Sequence, residues 1–279
     1  MNDVVTVTPV AGSLGAEISG VDLGAELDSG TVAAIRAAWL EHLVLFFRDQ
    51  PLTPEQFLGF ARTIGEPVEY KFVPGIDGFP EIISVLKEAD ETVNFGGIWH
   101  SDGTYNDEPP MATMLVAREI PPYGGDTMFA NMYDAYEALS PAMRELLDPL
   151  KAVNSSALAD VSKTREDRYR ESHDDDDEVP LYEAVHPVVR THPETGRKSL
   201  YVNVAHTERF DAMTVEESRP LLEFLFQHQV RPEFTCRFVW KPGSIAMWDN
   251  RCAMHNPVND YHGFRRMMHR ITLRGEQPA

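Results

Sequence analysis

Two short stretches constrain this chain of 279 residues more than any other part of it: Trp99-His100-Ser101-Asp102, and Trp248-Asp249-Asn250-Arg251 leading to His255. Together they offer two imidazoles and one carboxylate, the ligand set of a mononuclear non-heme Fe(II) centre with open coordination positions. His100 and Asp102 are two residues apart, so on an extended strand their side chains leave the same face. A fold that uses all three must carry His255 back beside them on a distant strand. Arg265, Arg266 and Arg270 follow soon after His255. Cationic groups near a metal point to a site for a small carboxylate that chelates iron. A lone His-x-Asp occurs by chance in many chains, so the surrounding elements must carry the rest of the reading.

Those elements are rich in short strands. Residues 5–22 alternate around Gly12, Gly15 and Gly20, as short strands joined by turns do. Asp28-Ser29 caps a helix to about Leu40, and Leu43 to Phe47 is a buried strand. Thr53-Pro54-Glu55-Gln56 is a capping box with proline in the first turn, opening a helix that should stop near Gly65. Strands follow at residues 82–86, Met111 to Ala117 and Asp126 to Asn131, with a loop over 88–98 that reaches the first ligand pair. Tyr133 to Leu147 reads as helix with a fresh start at Ser140-Pro141, and Met213 to Gln229 as helix capped by Thr214. Lys198 to Val204, Phe234 to Trp240, Ser244 to Asp249 and Met267 to Arg274 are strands in the last third. Short strands around a few helices predict a mainly β sandwich or barrel with flanking helices. Residues 155–183 are polar and charged, and read as a segment inserted into one domain spanning 1–279.

Charge narrows the partners. Lys plus Arg number 25 against 44 Asp plus Glu, a formal net charge of −19 that repels nucleic acid and anionic membranes. Part of that charge, Asp174 to Glu178, reads as a solvated run rather than a metal site. No apolar run approaches the roughly 20 residues that span a bilayer, and the first residues lack a secretory pattern, so a cytoplasmic protein is expected. Cys236 and Cys252 make no disulfide framework.

Six segments in order along the chain resemble the taurine dioxygenase family of Fe(II)/2-oxoglutarate-dependent oxygenases, which includes the phenoxyacetate-herbicide dioxygenases. They are Gly15 to Leu23, Trp99 to Asp102, Gly124-Gly125-Asp126-Thr127, His186 to Pro193, Trp248 to Arg251 and Arg265 to Arg270. The resemblance implies a double-stranded β-helix, or jelly roll, with helices against one sheet. It implies Fe(II) on His100, Asp102 and His255, with O2 and 2-oxoglutarate as cosubstrates. Thr127 and Arg266 would hold the distal carboxylate of 2-oxoglutarate. Arg270 would serve its proximal carboxylate or an anion on the substrate. If residues 266–272 form a strand, Arg266, Met268, Arg270 and Thr272 share one face. Asp102 distinguishes the chain from halogenating relatives, so hydroxylation with release of succinate and CO2 is the implied reaction. Relatives are often dimers or tetramers, which implies a homo-oligomer.

The substrate is where the chain departs from true taurine dioxygenases. Those place a sulfonate-binding histidine after a Gly-Glu turn, where Gly65 to Lys71 here carries Tyr70. Before the metal motif stands Asn94-Phe95-Gly96-Gly97-Ile98. Phe95, Ile98 and Tyr105 suggest a more apolar pocket, with Tyr70, Asn94 and Tyr105 available to orient a polar end. The expected substrate is therefore a small organic carboxylate or sulfonate other than taurine. Two alternatives use the same residues: a jelly-roll zinc hydrolase, because Zn²⁺ also accepts two histidines and a carboxylate, and a non-catalytic small-molecule binder.

Overall fold

Strands buried on both faces need two different partners, one for each face, and this chain supplies both. The computed structural model describes residues 5–158 and 179–279. Its first half runs β1 (Thr6–Pro9), β2 (Ala16–Ser19), α1 (Ser29–His42), β3 (Val44–Phe47), α2 (Pro54–Ile64), β4 (Pro67–Val68), β5 (Ile82–Lys87), β6 (Ala112–Glu119) and β7 (Thr127–Asn131). It continues with α3 (Met132–Glu137), α4 (Pro141–Leu147), β8 (Lys151–Ser155), β9 (Glu183–Pro187), β10 (Val189–Thr191), β11 (Lys198–Leu200) and β12 (Thr207–Phe210). The last elements are α5 (Val215–Gln229), β13 (Thr235–Phe238), β14 (Ile245–Asp249), β15 (Ala253–Pro257) and β16 (Arg266–Leu273).

The main sheet has the order β1-β2-β3-β14-β6-β16-β4, with β5 also paired to β16. A second sheet has the order β13-β7-β15. Helices cover the outer face of the main sheet. Ile35 and Trp39 of α1 and Phe57, Phe60 and Ala61 of α2 pack on Leu45, Phe47, Met114, Val116, Met247, Ile271 and Leu273. The intervening residues Phe46, Leu115, Ala246, Trp248 and Met268 point inward and meet Phe129, Phe238 and Ala253 of the second sheet. This is the expected sandwich with helices against one sheet, the jelly roll. The period of two therefore divides each strand between a helix-packed core and an inter-sheet core.

Local signals act as their chemistry requires. Thr53 accepts the Gln56 backbone N–H while the Gln56 side chain accepts the Thr53 N–H, and the helix ends before Gly65. Asp28 caps α1, and Thr214 caps α5 with Glu217 completing the box. Three details differ from expectation. The strand expected over Lys198 to Val204 stops at Leu200. Beyond it, Asn203 N–H donates to the Thr207 hydroxyl and His206 N–H to the Asn203 side chain, replacing ladder bonds. Strands β8, β9, β10 and β12 were not anticipated. The segment expected as an insertion at 155–183 ends in β9, and its residues 159–178, with the Asp174 to Glu178 run, lie outside the described residues.

Candidate active site

Two loops and two strands bring the three expected ligands together. His100 and His255 form an isolated antiparallel bridge in which each backbone N–H donates to the other's carbonyl, at 3.0 and 2.8 Å. The expected extended strand through His100 and Asp102 is thus reduced to one bridge residue, and Asp102 already begins the turn that contains Gly103. The shared face survives nonetheless. Ligand atoms of His100, Asp102 and His255 all lie within 4.8 Å of one another, and all three residues are buried.

Two of the three candidate ligands, His100 and Asp102, are oriented from behind. His100 Nδ1 lies 2.7 Å from the Ile98 carbonyl, which leaves Nε2 facing Asp102. The Thr113 hydroxyl donates to Asp102 Oδ2 at 2.7 Å, and Thr113 in turn accepts from Asn250 Nδ2. Asn250 Oδ1 accepts from Trp248 Nε1, so the Trp248–Asn250 stretch supports the first ligand pair from below. Such outer contacts fix the geometry that a metal meets. Gly96 comes close at φ +76, and a Cβ there would stand 3.0 Å from His100 Cε1, so the loop can approach the imidazole only as glycine.

Electrostatics set the protonation states a metal needs. Burial pushes the Asp102 carboxyl upward, but Arg270, His255, His100 and the Thr113 hydroxyl outweigh it and hold the pKa well below the carboxylate range. Burial, helped by the charges of His100 and Arg270, drives His255 well below the usual imidazole value. An ionised carboxylate beside a neutral imidazole is the donor set a divalent ion requires.

The expected cosubstrate residues stand beside this cluster. On β16, Arg266, Met268, Arg270 and Thr272 alternate inward as predicted, while Arg265, just before the strand, pairs with Glu88 and Glu119. Arg270 Nη2 lies 2.8 Å from Asp102 Oδ1. Arg266 is buried, with its Nε and Nη2 lacking any hydrogen-bond partner. Burial pulls its pKa below the usual guanidinium value, with Tyr261 and Asp126 opposing. Thr127 accepts from Trp240 Nε1 at 3.0 Å, which leaves its hydroxyl proton available to an acceptor. Thr127, Arg266, Arg270, His100, His255 and Trp248 line one small cavity. A buried guanidinium with two nitrogens still lacking an acceptor, beside a hydroxyl with a donor to give, fits the carboxylate of a bound oxo acid.

Of the six residues expected at the substrate, four face the cavities: Tyr70, Phe95, Tyr105 and Arg270. Tyr70, Phe95 and Tyr105 surround His100, Asp102 and Arg270. A larger cavity of about 500 Å³ opens from there past Tyr70, Gly103, Tyr105 and Arg270. Asn94 instead ties its loop to the strand carrying His255, donating to the Pro257 carbonyl at 3.0 Å. Ile98 packs on Ala205. His206 joins the lining unannounced, 5.0 Å from the Tyr105 ring and 6.0 Å from that of His100. It sits in the irregular stretch just beyond Val204, the expected end of the strand from Lys198.

A jelly roll that buries two imidazoles and a carboxylate between its sheets has the architecture of a mononuclear non-heme iron enzyme. Residues 6–272 match the family model described as "Taurine catabolism dioxygenase TauD, TfdA family". The alpha-ketoglutarate-dependent sulfate ester dioxygenase of Pseudomonas putida is 38% identical over 98% of this chain and 90% of its own length. The (S)-phenoxypropionate/alpha-ketoglutarate-dioxygenase of Sphingobium herbicidovorans is 34% identical over 91% of this chain and 90% of its own. A crystal structure of a taurine dioxygenase from Burkholderia xenovorans superposes with a TM-score of 0.82, at 39% identity, covering 99% of this chain and 92% of that one. The chain belongs to the TauD/TfdA dioxygenase family. It is accordingly an enzyme of the 2-oxoglutarate-dependent dioxygenase class, whose chemistry uses Fe(II), 2-oxoglutarate and O2. Neither the zinc hydrolase nor the silent binder finds support. Among the described residues no helix is long and apolar enough to cross a membrane.

Proposed function

We propose that this enzyme hydroxylates a C–H bond of a small organic anion of the sulfate ester, sulfonate or aryloxy-carboxylate type, with His100, Asp102 and His255 holding Fe(II). The two unpartnered nitrogens of Arg266, Nε and Nη2, beside that cluster carry the reading, because they ask for the second carboxylate of an oxo diacid. When bound, iron with 2-oxoglutarate and dioxygen supplies the oxidant that turns C–H into C–OH, with succinate and CO2 as the other products. The chain's own part is placement. Arg266 and Thr127 fix the diacid at its far end, and Trp248 and Phe95 wall the small cavity against water.

Three cations border the larger cavity, and all three have partners. Arg274 pairs with both oxygens of Glu66, and Lys71 donates to Asn106 Oδ1. Arg270 is paired with Asp102 through Nη2 but keeps an unpartnered Nε. The anionic head of the substrate is therefore read at Arg270, with its organic body along Tyr70, Phe72 and Tyr105. Hydroxylation at a carbon bonded to an ester or ether oxygen gives an adduct that collapses to a carbonyl compound and the free sulfate or phenol. Release of succinate across a panel of alkyl sulfates, sulfonates, aryloxy acids and neutral analogues tests the reading. Anionic members should stimulate turnover; stimulation by neutral compounds alone would sink the role of Arg270.

A further inference from the structure

We infer that Lys87 is a second cationic anchor for the distal carboxylate of 2-oxoglutarate, acting beside Arg266. The inference rests on the reading above that Arg266 and Thr127 receive that carboxylate. Lys87 ends β5, and the β5–β16 register places it directly opposite Arg266. Paired residues on adjacent antiparallel strands project to the same face. That face is the inner one, since Val85, two residues before Lys87, lines the cavity with Thr127, His255 and Arg266.

Its environment is unusual for a lysine. The residue is 2% exposed, and its ammonium is buried with no hydrogen-bond partner. Its Nζ lies over the face of Tyr261, 4.6 Å from the ring centroid. The Arg266 guanidinium lies 5.9 Å from the same centroid. The acids that act on Tyr261 and Arg266 have partners: Asp126 pairs with Arg237, Asp260 with the Gly125 N–H and Arg237, and Glu91 accepts the Glu88 N–H. Glu88, next to Lys87 in the chain, pairs with Arg265.

The energetics of that arrangement are lopsided. A cation–π contact returns less than burying an ion costs. Two like charges directly opposite on a ladder destabilise it further. An anion shared between the two cations offsets both costs. The stoichiometry of lone pairs agrees, since a carboxylate offers about four acceptor positions. Arg266 Nε and Nη2 take two, the Thr127 hydroxyl a third, and Lys87 Nζ the fourth. On this account the enzyme's preference for a diacid over a simple 2-oxo acid is set by two cations rather than one.

The test is a binding measurement. Dissociation constants for 2-oxoglutarate and pyruvate would be measured by anaerobic calorimetry on Fe(II)-loaded wild type, Lys87→Met, Lys87→Arg and Arg266→Met. Pyruvate carries only the chelating end. Lys87→Met should weaken 2-oxoglutarate by about 10- to 100-fold, the value of a charge-assisted hydrogen bond. Its pyruvate affinity should stay within about twofold, and Lys87→Arg should recover most of the loss. An affinity for 2-oxoglutarate unchanged in folded Lys87→Met overturns the inference. Should Lys87→Met fail to fold, a crystal structure of wild type with 2-oxoglutarate decides: Nζ within about 3.2 Å of the distal carboxylate supports the anchor, and any longer separation overturns it. If Arg266→Met binds normally while Lys87→Met does not, the reading of Arg266 falls and that of Lys87 stands. Failure of wild type itself to bind 2-oxoglutarate takes down the site reading and this inference with it.

Discussion

Two buried clusters in this protein contain the same kinds of side chain and do different things. One joins His100, Asp102 and His255 with Arg270; the other joins His192, Asp249 and Cys252 with Arg251. In both, potential ligand atoms converge within 4.8 Å, so residue type and proximity do not separate them. Saturation does. His192 donates to Asp249 through Nε2, while its Nδ1 accepts the Glu194 and Thr195 backbone N–H groups. Asp249 accepts Arg251 through both oxygens, and Arg251 reaches on to Glu194. Burial raises the Asp249 carboxyl, but Arg251 and His192 bring it down to about 2. Cys252 is pushed well above its usual value by burial and by Asp249, so it stays a thiol and a poor ligand. The first cluster leaves His255 Nδ1, Arg270 Nε and two atoms of neighbouring Arg266 without partners. A buried polar group that has everything it needs is holding the fold; one left wanting is waiting for a ligand.

The comparison breaks most visibly through the metal. Asp102→Ala should lower Fe(II) affinity and 2-oxoglutarate turnover by about a thousandfold or more, beyond the tenfold to hundredfold of outer contacts. Folded Asp249→Ala should bind as much iron as wild type, read by metal analysis of the dialysed proteins. Equal loss of metal from both variants would erase the distinction. In denaturant melts the order reverses. Asp249→Ala strands the buried Arg251 and should cost about 3–5 kcal/mol of stability, and a cost below about 1 kcal/mol would show the second cluster to be dispensable. Thr113→Val removes one hydroxyl from behind Asp102 and should weaken metal binding by about 10- to 100-fold with a smaller change in melting.

The mildest effect concerns an imidazole outside both clusters. His269 Nδ1 accepts from Arg118 Nε at 3.2 Å, and burial together with the Arg118 charge lowers its pKa to about 4. The unfolded chain binds this proton first, near its ordinary pKa of about 6.5, so protonation favours unfolding. Stability should be unaffected by His269 above about pH 6.5 and should fall progressively from there down to about pH 4. His269→Gln should flatten that part of a melting-temperature profile; an unchanged slope would show that Arg118 does not hold the ring neutral.

How much of this was legible in the chain depends on the range of the interaction. Thr53 and Gln56 announce α2 because a capping box closes within one turn. The inward alternation of Arg266, Met268 and Arg270 follows from the period of a strand. His100, Asp102 and His255 were legible as a set because the chemistry of iron selects them. Asn94 misleads for the opposite reason: its use depends on Pro257, which no local pattern places nearby. Thr113 behind Asp102 and Lys87 opposite Arg266 depend on strand order and register, which sequence periodicity leaves open. The loss of strand after Leu200 turns on side chains of Asn203 and Thr207 outcompeting a ladder.

The reciprocal backbone bonds between His100 and His255 carry a consequence for biosynthesis. Because His255 lies far downstream of His100 in the sequence, synthesis must pass His255 before the proposed set of three ligands can assemble. A product truncated before His255 would carry the first proposed pair of ligands without the third.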